Sequence, residues 1–155
     1  MSITNRRVVT GLNDQGLSTV IFDDVLGDLP TDLPGFAVAW HTPGFPADNS
    51  GVEDTREVEI VPQFSNGSGL LLFAELEPGY SGPFHATNTL DFVFITHGRV
   101  RVVLEDGEVL LGPGDVIVDR GVAHQWNVVG DEPAILASVV LPAVPLENAV
   151  TKASY

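Results

Sequence analysis

Helical periodicity is almost absent from this chain; apolar residues alternate instead in short runs divided by Gly, Pro, Asp and Asn. Alternation at every second residue marks a half-buried strand rather than a helix. The runs are Leu17–Phe22, Ala37–Trp40, Val58–Val61, Leu70–Leu76, Phe92–Thr96, Arg99–Leu104, Val109–Leu111, Val116–Val118, Gln125–Val129 and Ile135–Leu141. In Arg99–Leu104, Val100, Val102 and Leu104 share one face and the two arginines the other; in Ile135–Leu141, Ile135, Ala137, Val139 and Leu141 share a face. The pair Phe92 and Phe94 is expected in the core. Asp106-Gly107 is a hairpin signal, and Gly112-Pro113-Gly114-Asp115 and Gly130-Asp131-Glu132-Pro133 punctuate the next connections. Many short strands at even spacing imply a sandwich or closed barrel, so the fold class is all-β.

A length of 155 residues suits one domain, and no internal repeat suggests a second barrel. Residues 69–142 hold the regular strands. Residues 1–68 read as an N-terminal extension of strand and loop that packs on the barrel or crosses to a partner subunit. Within it, Thr42 to Ser68 is rich in Pro, Gly, Asn and Ser and reads as loop with one strand, Glu57–Val61. Residues 143–155 form a tail expected to end in a loose turn or short helix.

The chain has no cysteine, which excludes disulfides and thiolate nucleophiles and leaves His, Asp, Glu or backbone oxygen to hold any metal. No window approaches a membrane-spanning run of about 18 apolar residues, and no apolar stretch follows Arg6-Arg7. A cytoplasmic protein without membrane contact is therefore expected. The formal net charge is −14, from 21 acids against 7 bases, which repels phosphate backbones and argues against nucleic-acid binding.

The stretch that carries chemistry runs from Gly82 to Val93. His85, Thr87, Thr89 and Asp91 fall at even spacing and share one face if the chain is extended there. A polar row inside a small barrel is costly unless it has partners or binds something. About thirty residues on, His124 follows a glycine turn at the start of a strand, with Trp126 on the same face. Two imidazoles and one carboxylate converging on a cavity suit iron, zinc or manganese. Without metal, the same three residues can work as a histidine base oriented by Asp91. A third reading makes both histidines satisfied core residues. His97, beside Gly98, is expected at an exposed turn, and His41 at the surface; Gln125 alternates away from His124.

These residues resemble the cupin superfamily over Gly79 to Leu141, about two-fifths of the protein. In the first cupin motif His85 takes the first histidine position, Thr87 stands where the family has a second histidine, Asp91 replaces the glutamate, and Gly98 closes the motif. In the second, Gly114-Asp115, Asp119-Arg120-Gly121 and His124 match, without the usual proline and one residue short. The chain is similar more narrowly to small single-domain cupins with a His-x-Thr-x-Thr-x-Asp pattern, a Gly-Asp-Val-Val-Val-x-Arg-Gly segment and His-x-Trp. Arg6 to Gly11 and the Trp40 to Asp48 loop suit the same group.

The resemblance implies a single jelly-roll β-barrel, a homodimer, and a small-molecule substrate. It implies a divalent metal on His85, Asp91 and His124, or no cofactor, with Thr87, Thr89, Trp126 and Trp40 contacting substrate. The chemistry expected is of the lyase type, dehydration or decarboxylation. The alternatives are a non-haem iron oxygenase or oxidoreductase, a metal-free His/Asp isomerase, and a ligand sensor without turnover.

Overall fold

A computed structural model describes residues 3–27 and 32–154. Ten strands appear in chain order: β1 (Arg6–Leu12), β2 (Ser18–Val25), β3 (Phe36–Thr42), β4 (Gly69–Leu76), β5 (Thr89–His97), β6 (Val100–Leu104), β7 (Glu108–Leu111), β8 (Val116–Asp119), β9 (His124–Val128) and β10 (Ala134–Pro142). One helical turn, α1 (Ile60–Gln63), lies between β3 and β4. Among the described residues no helix is long and apolar enough to cross a membrane.

β3-β4-β10-β5-β8 make a five-stranded sheet, β7-β6-β9 a three-stranded one, and β1-β2 a separate hairpin. All pairings are antiparallel. The two larger sheets share one core. Ala74, Leu76, Val93, Ile95, Ala134 and Leu136 come from the first, and Val100, Val102 and Leu111 from the second. The alternation read from the sequence accounts for this burial: Val100 and Val102 are buried while Arg101 is exposed. On β10 the inward residues are Leu136, Ser138 and Val140, so Ile135, Ala137, Val139 and Leu141 share the outer, half-covered face.

Asp106-Gly107 makes the expected hairpin, where the Leu104 amide donates to the Gly107 carbonyl at 2.9 Å. Two expectations fail. Phe94 is 47% exposed and Phe92 half-buried, because β5 turns both away from the inner face. The strand expected over Glu57–Val61 is replaced at its end by α1. There the Asp32 carboxylate accepts the Ile60 amide at 2.7 Å and the Val61 amide at 3.3 Å. Pro62 sits in the first turn, where a missing N–H costs nothing, and fully buried Ile60 anchors the turn.

β1 was not among the alternating runs, because its one buried strand residue is a charged one, Arg7. Its guanidinium donates to Asp24 and Asp54 at 2.6–2.9 Å and to the Ala39 carbonyl at 3.1 Å. Arg56 adds ion pairs to the same two carboxylates. This cluster ties the hairpin to the loop after β3. Ile3 and Leu26 pack with Ala37, Ala39 and Phe73 on the outer side of β3 and β4. After β10 the tail forms no helix. It folds back so that the Ala143 and Ser154 amides donate to the Asn88 and Ala86 carbonyls.

Candidate functional site

Between the sheets lies a cavity of about 260 Å³, lined by residues from both, from α1 and from the segment before β5. Its polar groups are few: His85, Thr87, Asp91, His124 and Ser138, with Tyr80 at the rim. The remaining lining is apolar and includes Phe36, Phe64, Leu72, Leu136 and Trp126.

Backbone pairing brings the two histidines together. His85 lies outside the regular strands but forms an antiparallel bridge to His124, each amide donating to the other's carbonyl at 2.8–2.9 Å. Gly82 and Tyr80 continue this pairing along β9, so residues 80–85 run as an added edge beside the three-stranded sheet. The two imidazole rings stand 4.6 Å apart, tilted by 56°. Trp126 meets His124 edge-on at 5.7 Å.

Asp91 reaches the cavity from β5, directly opposite Asp119 on β8. Asp119 is the carboxylate that orients His124. Its Oδ2 lies 2.7 Å from His124 Nδ1, and both side chains are almost fully buried, at 6% and 5% exposure. Asp119 Oδ1 accepts the amides of Gly121 and Val122, which fixes the carboxylate before it meets the ring. The orienting role expected of Asp91 therefore belongs to Asp119, because Asp119 ends its strand on the same turn that carries His124. An aspartate before Arg-Gly reads as a turn cap, and only its free oxygen carries the functional role. Gly121 lets this turn sit close: at φ +73°, a Cβ there would stand 2.8 Å from the Thr87 carbonyl.

The electrostatics separate the three titratable groups. Burial pushes Asp91 up to about 6, helped by the Asp119 charge and opposed by a Thr89 hydrogen bond and by His124. Asp91 Oδ1 is buried with no hydrogen-bond partner. For His124, burial opposes the charged ring, but the hydrogen bond and charge of Asp119 outweigh it and raise the pKa, with help from the Val122 carbonyl and Asp91. For His85, burial wins over the Pro83 carbonyl, and its pKa is lowered. His124 Nδ1 faces both Asp119 and the Val122 carbonyl, at 2.9 Å from the latter, so Nδ1 carries a proton and Nε2 is the atom left to meet a ligand. His85 Nδ1 likewise faces the Pro83 carbonyl at 3.0 Å.

The other expected residues divide. Thr87 lines the cavity and its hydroxyl lies 2.6 Å from that of Thr89, which is buried behind it. Trp126 lines the cavity as expected. Trp40 does not: it sits half-buried on β3 outside the lining, past a register shift between Val38 and Trp40. His97 is exposed near Glu132, and Gln125 turns away to donate to the Gly82 carbonyl at 2.7 Å. His41 is half-buried, not a surface residue, and lies outside the cavity lining. Sequence reading named Asp119 only within a motif match, without its role, and missed Tyr80, Phe36, Phe64 and Ser138. The aromatics come from separate segments and carry no local motif.

His85, Asp91 and His124 border one cavity, yet among the described residues no three His, Asp or Glu side chains are grouped to hold one metal ion. With Thr87 in place of a further imidazole, the donor set as arranged does not fit a metal. What these side chains can do by themselves is move protons.

The chain matches the family described as a cupin domain over residues 72–140. It is 31% identical over 132 residues to the cupin-domain-containing oxidoreductase srdD of Neurospora crassa, covering 81% of this chain and 67% of that protein. It is 29% identical over 136 residues to the phomopsin biosynthesis cluster protein D of Diaporthe leptostromiformis, covering 80% and 70%. A further relative, the cupin-domain-containing oxidoreductase fogC of Aspergillus ruber, is 29% identical over 133 residues, covering 81% and 65%. Among solved structures, the cupin domain of Schizosaccharomyces pombe Cnp3 superposes with a TM-score of 0.54 at 12% identity, over 89% of this chain and 88% of that one, a likeness of fold. The fold is thus the jelly-roll of the cupins. This chain belongs to the cupin family, and it spans about two-thirds of the length of these fungal relatives.

Proposed function

We propose that this protein is a small-molecule enzyme that removes water from a hydroxylated carbonyl compound by paired acid–base catalysis. The observation that carries this reading is the buried Asp119–His124 pair, at 2.7 Å, sharing a cavity with Asp91, whose Oδ1 is buried without a partner. Between about pH 6 and the raised pKa of His124, Asp91 is a carboxylate and His124 an imidazolium. Asp91 then takes the proton from the carbon next to the carbonyl. His124 Nε2 gives its proton to the departing hydroxyl, which leaves as water while the carbon–carbon double bond forms. Asp119 holds the imidazolium, and before the next turnover Asp91 releases its proton to solvent while His124 takes one up. Thr87 and Ser138 are placed to orient the carbonyl oxygen. Of the two lyase outcomes, dehydration fits better than decarboxylation, since among the described residues no Lys or Arg lines the cavity to hold a carboxylate.

The test is incubation with aryl β-hydroxyketones, following the conjugated enone by absorbance. Enone formation lost in Asp91→Asn and His124→Gln supports the reading. Turnover unchanged in both variants refutes it.

A second reading, oxidation–reduction, is favoured by the names of the Neurospora and Aspergillus relatives. It needs an electron acceptor or donor held against His85 and His124. Stoichiometric iron in untagged protein, with oxygen-dependent turnover, would replace dehydration by this reading. Pairing of two copies is proposed for the outer face of the five-stranded sheet. There Phe94, Val116 and Val118 stand about half exposed, an uncharged patch where two strongly acidic chains meet with least repulsion. A dimer in light scattering that Phe94→Asp converts to monomer supports it; a wild-type monomer refutes it.

A further inference from the structure

We infer that the ligand of this cavity is an uncharged organic compound of roughly one or two rings, with its oxygen function at one end only. The inference rests on reading the cavity as the site, and it adds the chemical class of the occupant. The lining is divided. His85, Thr87, Asp91, His124 and Ser138 supply polar groups, whereas the rest of the surface is largely apolar and includes the aromatic side chains of Phe36, Phe64 and Trp126.

Charge decides the class. His124 and Asp119 balance each other at 2.7 Å, and no Lys or Arg lines the cavity among the described residues, so the Asp91 carboxylate there has no cation of its own. An anionic ligand would surrender its hydration and meet only the His124 imidazolium, already paired with Asp119, on a chain whose formal charge is already −14. An ammonium would have to desolvate both itself and Asp91, and a single buried carboxylate repays that poorly. An alcohol or ketone loses least and keeps its hydrogen bonds.

Size follows from the volume. At about 260 Å³ the cavity falls just below the range of about 300–1,000 Å³ typical of drug-sized sites. Val61 and Phe64 belong to its apolar lining, and both are carried by the turn that Asp32 holds.

The test is calorimetric titration of the full chain with three probes that share one ring system: 2-naphthalenemethanol, 2-naphthoate and 2-naphthylmethylammonium. The alcohol is expected to bind at least tenfold more tightly than the naphthoate and several-fold more tightly than the ammonium. Phe64→Trp, which fills the cavity, should abolish alcohol binding. Equal or tighter binding of either charged probe, absence of alcohol binding, or full alcohol binding by Phe64→Trp overturns the inference. Because no turnover is measured, the outcome is separate from that of the dehydration assay. Selective binding without enone formation would sink the proposed reaction alone.

Discussion

The two walls of the cavity are built on different principles. On one side His85, His124 and Asp91, together with Asp119 bonded to His124, are fixed by strand register and by hydrogen bonds to backbone: the 85–124 bridge, the 91–119 pairing and the Asp119 contacts to Gly121 and Val122. On the other side Val61 and Phe64 are carried by one helical turn whose amides are held by a distant carboxylate, Asp32. The first wall resists adjustment, because moving one group breaks a ladder. The second changes its shape with any side-chain substitution. The proposed reading therefore puts chemistry on the strand-held residues and selectivity on the turn.

The comparison breaks most visibly on the strand side. Asp91→Asn and His124→Gln are each expected to lower kcat by roughly 10²–10⁴-fold, the range of a lost general acid or base, with little change in KM. Asp119→Asn should leave more activity but draw the alkaline limb of the pH–rate profile downward, since the imidazolium loses the carboxylate that stabilises it. An unchanged alkaline limb would remove Asp119 from its positioning role.

Stability should report the same wall. Asp91 is raised from 3.8 to about 6 in the folded state, so between those values the folded chain holds the proton more tightly than the unfolded one. Stability therefore falls as pH rises through that window, by at most about 3 kcal/mol. Asp91→Asn should stabilise the protein in denaturant melts at pH 7.5 and lose that advantage below pH 4. Equal stabilisation at both pH values would show that burial of the charge is not the cause.

Effects on the turn side should be smaller and of another kind. Phe64→Ala is expected to leave kcat for the preferred substrate within a few-fold while admitting longer ring substituents, read as a drop in KM for those compounds. Asp32→Ala removes the acceptor for two amides at the start of the turn and should cost about 1 kcal/mol in unfolding free energy. A loss of kcat as large as in His124→Gln for either variant would erase the distinction between the walls.

Much of the scaffold was legible in the sequence. The alternation in Arg99–Leu104 and the Asp106-Gly107 hairpin are local properties, set by side-chain direction and turn chemistry, and both survive folding. The polar row leading to Asp91 and the histidine after Gly121 were legible for the same reason. Alternation told which residues of β5 and β10 share a face, but not which face is the inner one. Phe94 stands outside, and Ser138 stands inside between Leu136 and Val140. A glutamate-to-valine run read as strand became a turn because Asp32, far away in the chain, holds its amides.

By itself, then, the sequence determined that this chain is a strand protein of the cupin kind and singled out His85, Asp91 and His124, which the fold brings to one cavity, since local pattern records backbone periodicity and residue type. Tertiary structure alone decided that Asp119 holds His124, that Trp40 stays outside the lining, and that aromatic residues from β3, β9 and the end of the α1 turn line one small, largely apolar space. Those facts depend on strand register and on contacts between distant segments, and neither leaves a mark in the spacing of neighbouring residues.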